Sequence, residues 1–365
     1  MAVPRGHQSR RVILAPMILT GNEWLTYRPI VDLGDVQHTS GNQLAPRYRS
    51  RGPGPWNPDS AEWREMPLDG QYPDCVVFIA TERERGDGTK EVIAIGTAFL
   101  IEMPFGDGTD RTFTYAVTAG HVVSRPSQYY LQVNTANGVR DVLISGWVRH
   151  PVQDVAVANV FLGDDWKYAL IHTDMFVGDD VQPVPRLGDR VYFIGLLSFL
   201  RGTRDEITPM VISGNIGRFN QKDIPIEWDN TQSKITAHLV DCRSYGGFSG
   251  SPCFIQAQVS EYRDFSKQIP GGMAGNVLFD RTLLFGLMSG HFDQKEVADV
   301  SGDPSLEVRM RINSGVGLVT PAKFISEILQ MDEFVTARRD TLAEIKRLET
   351  AGDGRVAAEE LPSGD

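Results

Sequence analysis

From Cys75 onward the chain alternates short apolar runs with clusters of turn-forming residues. Cys75-Val76-Val77-Phe78-Ile79-Ala80 is one such run, Arg85-Gly86-Asp87-Gly88 follows, and Glu91-Val92-Ile93-Ala94-Ile95 resumes the pattern. That arrangement predicts a β-hairpin turning at Asp87-Gly88. Gly96–Ile101 and Thr112–Thr118 predict the next pair of strands, with Gly106-Asp107-Gly108-Thr109-Asp110 as the turn between them. Further apolar runs fall at Leu187–Gly195, Met210–Gly214, Ile235–Val240 and Leu283–Ser289, and the last strand ends near Gly317-Leu318-Val319. Many short strands at close spacing predict an all-β barrel architecture.

The period changes after residue 320. Phe324, Ile328, Met331, Val335, Leu342 and Ile345 recur at mostly three- and four-residue steps, which predicts a helix over 321–350 whose first half packs on the barrel. Thr320 is placed as its N-cap, with Pro321 at the first helical position. Residues 351–365 read as a disordered acidic tail. Residues 1–72 show little periodicity and are rich in Pro, Gly, Arg and Trp. They read as a partly irregular extension in which Trp24, Trp56 and Trp63 give packing points.

Three segments carry candidate chemistry. Tyr245-Gly246-Gly247-Phe248-Ser249-Gly250-Ser251-Pro252 sets a serine among glycines, which allow a tight turn and bring main-chain N–H groups toward an attacked carbonyl. A serine needs a base, and the base an orienting acid. Thr118-Ala119-Gly120-His121-Val122-Val123 and His150-Pro151-Val152-Gln153-Asp154-Val155-Ala156-Val157 supply them upstream. The order His121, Asp154, Ser249 matches one of the known triad orders. Asp164 and Asp165 compete with Asp154 by proximity, but they sit in a polar turn rather than before an apolar strand.

These segments resemble the chymotrypsin-like (trypsin-like) serine peptidases, in particular the single-chain bacterial type. The resemblance covers roughly Cys75 to the helix after Pro321. It implies a double β-barrel of the chymotrypsin type with an N-terminal extension and a C-terminal helix. The lobes would span about 73–170 and 185–320 of a peptidase domain at 73–320, with the first closing near Val160-Phe161. It further implies the triad His121, Asp154, Ser249 and an oxyanion hole from the N–H groups of Gly247 and Ser249. Substrate would be bound by Arg243, Ser244, Ser289, Gly290 and His291. Arg243, six before the nucleophile, would lie at the base of the primary specificity pocket and favour a carboxylate. The match to the glutamyl-specific branch is partial, because Met288 stands where that branch has a histidine; His291 either substitutes from further along or points away, and Arg243 either lines the pocket or turns outward into solvent. Phe248 replaces the aspartate that trypsins use on zymogen activation, so no such switch is expected.

Composition adds limits. The formal charge of −11 argues against a nucleic-acid footprint and against attraction to an anionic membrane. No run approaches the ~18 apolar residues of a membrane helix. Val12–Leu19 reads as a strand or packed arm, the alternative being a secretory signal. Three cysteines, Cys75, Cys242 and Cys253, suit a reducing compartment, hence a cytoplasmic expectation with secretion as the alternative. The Cys242–Cys253 pairing stays open. No Cys/His cluster has metal spacing, and no cofactor is expected. The function expected is a serine endopeptidase acting on peptides or proteins. The rivals are a catalytically silent module of the same fold, docking a partner through its extension or helix, and an esterase.

Overall fold

The computed structural model describes residues 72–106, 108–109, 111–125, 127–178, 185–197, 206–228, 231–264, 274–300 and 303–359. The extension with its three tryptophans, two residues of the turn at 106–110, and residues 360–365 lie outside the described residues. The architecture is all-β, with two antiparallel sheets and a C-terminal helical segment.

The first sheet comprises β1 (Val76–Glu84), β2 (Lys90–Pro104), β3 (Thr112–Thr118), β4 (Tyr129–Thr135), β5 (Gly138–Ile144), β6 (Val148–Arg149), β7 (Ala156–Asn159) and β8 (Ile171–His172). Its order is β5-β4-β1-β2-β3-β7-β6, with β8 running parallel along β2. The expected hairpin turns where the Asp-Gly pair stands: Gly88 has φ +78, and its N–H donates to the Arg85 carbonyl at 2.9 Å. Val76–Ala80 is buried throughout, whereas β4 buries alternate residues Tyr129, Leu131, Val133 and Thr135. The first pattern belongs to a strand covered on both faces, the second to one covered on a single face. Two strands expected at 91–95 and 96–101 are one, β2. Ile79 pairs Gly96 but Ala80 pairs Ala94, so Ile95 is an extra bulged residue, and it is exposed. After β7 the chain doubles back on β4, where Trp166 bridges Thr135 and the Lys167 N–H donates to the Asn134 carbonyl at 2.8 Å.

The second sheet is a closed barrel of β9 (Arg190–Gly195), β10 (Met210–Trp228), β11 (Thr231–Asp241), β12 (Pro252–Asp264), β13 (Ala274–Val300) and β14 (Asp303–Pro321), ordered β10-β11-β14-β13-β12-β9. Val191, Phe193, Ile216, Val240, Ile255, Phe285 and Val319 fill it, together with Phe248 from the loop before β12. The strands outrun their apolar cores: β12 and β13 stay paired out to Asp264 and Ala274, and β13 and β14 out to Val300 and Asp303. Main-chain pairing needs no apolar alternation, so hydropathy marks only the parts inside the barrel.

The C-terminal helix departs from expectation in three ways. It is two helices, α1 (Lys323–Leu329) and α2 (Asp332–Glu359). The Gln330 N–H donates to the carbonyls of Ser326 and Glu327, closing α1, and acidic Asp332 and Glu333 open α2, where the helix dipole favours them. The N-cap is Ala322 rather than Thr320, because Thr320 lies in β14 with its hydroxyl bonded to Ser289 Oγ at 2.5 Å. Residues 351–359, placed in the acidic tail by sequence, are helical. Phe324, Ile325, Ile328 and Leu329 of α1 are buried, and Phe334 of α2 meets Tyr115 of β3 edge-on at 5.5 Å. No helix among the described residues is long and apolar enough to cross a membrane.

Candidate active site

Asp154 ends the loop between β6 and β7, and His121 lies in a single 3-10 turn (Gly120–Val123) just after β3. The two are neighbours because β3 pairs with β7, Thr118 opposite Ala156. Asp154 is fully buried, and both its oxygens face the same residue: Oδ2 accepts from His121 Nδ1 at 2.8 Å, and Oδ1 accepts the His121 main-chain N–H at 2.9 Å. A carboxylate in that position holds the Nδ1–H tautomer and leaves the Nε2 lone pair as the base. Gly120 permits the approach, since a Cβ there would stand 3.2 Å from Asp154 Oδ1. Asp165, the sequence competitor, instead pairs with Arg140 at 2.6 Å.

Ser249 sits on the turn joining the barrel core to β12. Phe248 is fully buried inside the barrel and so anchors the turn from below. Gly247 and Gly250 have φ +97 and +87, conformations that L side chains rarely adopt. Gly250 is also sterically required, because a Cβ there would fall 2.0 Å from the Thr97 carbonyl and 2.4 Å from Thr118 Oγ1. The N–H groups of Phe248, Gly250 and Ser251 are spent on the carbonyls of Tyr245, Met288 and Phe248. Among the described residues, those of Gly247 and Ser249 donate to no carbonyl.

Thr97 of β2 binds this turn to the strands that bear His121. Its N–H donates to the Ser249 carbonyl at 2.9 Å, and its Oγ1 donates to the Gly247 carbonyl at 2.8 Å and accepts the Leu196 N–H at 2.8 Å. Its own carbonyl accepts Thr118 Oγ1 at 2.6 Å. Every polar group of a fully buried threonine is thereby satisfied, as burial demands. Sequence reading passed over Thr97; the available signal was a hydroxyl inside an otherwise apolar strand.

The residues expected to meet substrate are arranged differently from one another. Arg243 is exposed rather than closed into a pocket base. It lines an open cleft of about 560 Å3 with Arg190, Ser213, Asn215, Asp241 and Tyr245. Neither Arg190 nor Arg243 has an ion-pair partner among the described residues, and the Tyr245 carbonyl ties the cleft wall to Phe248 beside the serine. Ser244 is buried, with its carbonyl accepting Asn313 Nδ2 at 2.9 Å. Ser289 is buried and its hydroxyl is committed to Thr320, so its side chain is not free to reach a ligand. Gly290 and His291 are half-buried on β13 opposite Leu318 and Gly317, and Met288 is a core residue of the barrel.

Two other histidines have defined settings. His238 of β11 stacks on Phe285 at 4.1 Å, and its Nδ1 accepts the Asn220 N–H. Burial pushes its pKa down to about 3, with Lys323 adding to the effect. His150 opens the Asp154 loop, its Nδ1 accepting the N–H groups of Val152 and Gln153. The three cysteines are free and buried. Burial raises the Cys242 thiol to about 11, and pushes those of Cys75 and Cys253 up as well. Among the described residues no group of three His, Cys, Asp or Glu side chains is placed to hold a metal ion.

No protein-family model matches the chain, and no curated protein does. Among solved structures, the chain is similar to the MamO protease domain of Magnetospirillum magneticum, with 17% identity, 72% of this chain and 100% of that chain covered, and a TM-score of 0.40. It is also similar to the Rv3671c protease of M. tuberculosis in an inactive form (15% identity, 70% and 88% covered, TM-score 0.35). Human heparin binding protein is a third (10% identity, 72% and 92% covered, TM-score 0.37). These neighbours are trypsin- or chymotrypsin-like serine protease folds.

Proposed function

We propose that the chain is a serine endopeptidase. In this reading His121 takes the proton of Ser249 as the serine attacks a peptide carbonyl, Asp154 orients and stabilises the resulting imidazolium, and the acyl-enzyme is then released to water. The observation that carries it is the buried Asp154 carboxylate gripping His121 at both its ring and its main chain. A purely structural histidine at a strand end has no need of a fully buried acid on Nδ1. Among the described residues the N–H groups of Gly247 and Ser249 donate to no carbonyl, while those of Phe248, Gly250 and Ser251 are engaged, and this supports their role as oxyanion donors.

The test is labelling by a fluorophosphonate, followed by cleavage of a peptide library. Wild type should label and turn over; Ser249→Ala should lose both, with turnover down by at least about 10⁴-fold, and His121→Ala should approach the same loss. Labelling that persists in Ser249→Ala would overturn the assignment. No labelling of wild type would leave a protein-binding module of this fold.

For specificity, two guanidiniums in one cleft, neither with an ion-pair partner among the described residues, support a preference for acidic side chains beside the scissile bond, even though Asp241 stands at the same cleft. Arg243→Ala should lower kcat/KM on Asp or Glu substrates by about tenfold while sparing neutral ones. Cleavage after Lys or Arg, unchanged in that variant, would rule the preference out.

A further inference from the structure

Asp154 is aimed by a loop whose own support comes from outside the first sheet. The loop is closed by the His150 N–H donating to the Val155 carbonyl at 2.9 Å, and the Val155 N–H donates to the Gln153 carbonyl at 3.0 Å. Inside it, His150 Nδ1 accepts the N–H groups of Val152 at 3.1 Å and Gln153 at 2.9 Å. A ring nitrogen that accepts two N–H groups carries no proton, so the neutral ring bears its hydrogen on Nε2. That nitrogen faces Glu327 Oε2 of α1 at 3.1 Å. The His150 side chain is 9% exposed and Glu327 53%. Phe324, from the preceding turn of α1, stands edge-on to the imidazole at 5.4 Å. A second tie reaches the barrel, where Gln153 Oε1 accepts the Thr236 N–H of β11 at 2.9 Å.

We propose that His150 and Glu327 are positioning residues for the His121–Asp154 pair, an inference that rests on the peptidase reading above. Glu327 fixes the His150 ring against α1, and the ring fixes the backbone on which Asp154 is carried. The carboxylate has little lateral freedom, since both its oxygens are bonded to His121. A shift of the loop would therefore be passed to the imidazole and not absorbed, and catalytic rates fall steeply with small misplacements. The Glu327 carboxylate is more than half exposed, so its single hydrogen bond to the neutral ring contributes little to global stability, and its effect falls on alignment and not on folding. By this route the C-terminal helix, remote in sequence from the triad, becomes part of its support.

The test compares Glu327→Ala, Glu327→Gln, His150→Asn and the Glu327→Ala/His150→Asn double variant in the full chain. The readouts are kcat and KM on a peptide ester, thermal midpoint, and the proton NMR resonance of His121 Nδ1–H, which reports the Asp154 contact without turnover. Glu327→Ala should lower kcat about tenfold with KM within about twofold, and should shift or broaden the His121 resonance. Glu327→Gln should restore both, because its amide oxygen still accepts the Nε2–H. His150→Asn keeps an acceptor for the loop amides but cannot reach α1. It should match Glu327→Ala, and the double variant should be no worse than either. The proposal is overturned if Glu327→Ala leaves the resonance unchanged, if the two single losses multiply, or if Glu327→Gln is as impaired as Glu327→Ala. Should wild type neither label nor turn over, the peptidase reading fails alone, and the resonance still judges the positioning network.

Discussion

The two halves of the site are held by opposite kinds of force. The serine half is held by shape: Phe248 is sunk in the barrel, and Gly247 and Gly250 are packed so closely that neither tolerates a Cβ. The His121–Asp154 half is held by polarity, through the buried carboxylate, the imidazole of His150, the amide of Gln153 and the carboxylate of Glu327. Close packing tolerates no added atom, whereas a hydrogen-bond network tolerates isosteric change only where its donors and acceptors survive. The halves should accordingly fail under different substitutions.

The largest effect is expected from Gly250→Ala. The new Cβ would collide with the Thr97 carbonyl, a main-chain atom that cannot swing away, at a φ that alanine resists. A loss on the order of 3–5 kcal/mol in denaturant unfolding is expected, with turnover at least about 100-fold lower. A variant of near wild-type stability and activity would show that shape does not hold the serine half.

Thr97→Val tests the seam between the halves. Valine keeps the volume and the main-chain bond to Ser249 but strands the Gly247 carbonyl and the Leu196 N–H. An orphaned buried polar group costs ~1–3 kcal/mol, so about 2–4 kcal/mol is expected by chemical denaturation, together with reduced turnover. Thr97→Ser, which retains the hydroxyl, should recover most of the activity. If valine and serine behave alike, the hydroxyl is not the seam.

A smaller effect concerns acid, and it separates the barrel from the polar half. His238 has its pKa depressed by burial from 6.5 to about 3 in the folded barrel. Between those values the unfolded chain binds a proton that the folded chain refuses, so stability rises with pH across that window. The contribution is fully present above about 6.5 and drains away as pH falls toward 3. From pH 7 to pH 5 the drop from this group is about 2 kcal/mol. His238→Asn, whose Oδ1 can still accept the Asn220 N–H, should be less stable at pH 7 but lose less on acidification. Parallel pH slopes for wild type and variant, measured by thermal unfolding, would show that His238 is not the acid-sensitive group.

Much of the serine half was legible in the sequence alone. Glycines flanking Ser249 are a local feature, and the Asp87-Gly88 hairpin likewise turns where the chain itself demands it. Burial runs such as Val76–Ala80 and the Phe324–Ile328 stripe declared themselves by hydropathy, because apolar side chains must leave water wherever they end up. The helix boundary at Thr320, the break at Gln330 and the single strand across Ile95 were not legible. Each turns on a partner distant in sequence: Ser289 takes the Thr320 hydroxyl, the β14 ladder carries the chain to Pro321, and β1 absorbs the bulge.

The chain by itself thus determined its alternation of strand and turn, the glycines that shape the Ser249 loop, and the order in which a histidine, an aspartate and a serine could meet. Those properties depend on residues a few positions apart, where steric and hydropathic rules act without reference to the rest of the molecule. Only the tertiary structure decided that Asp154 rather than Asp165 meets His121, that every polar group of Thr97 is used, that Ser289 is spent on Thr320, and that α1 reaches His150. A hydrogen bond is short-ranged and directional, so which donor finds which acceptor is settled only when distant strands and helices have packed.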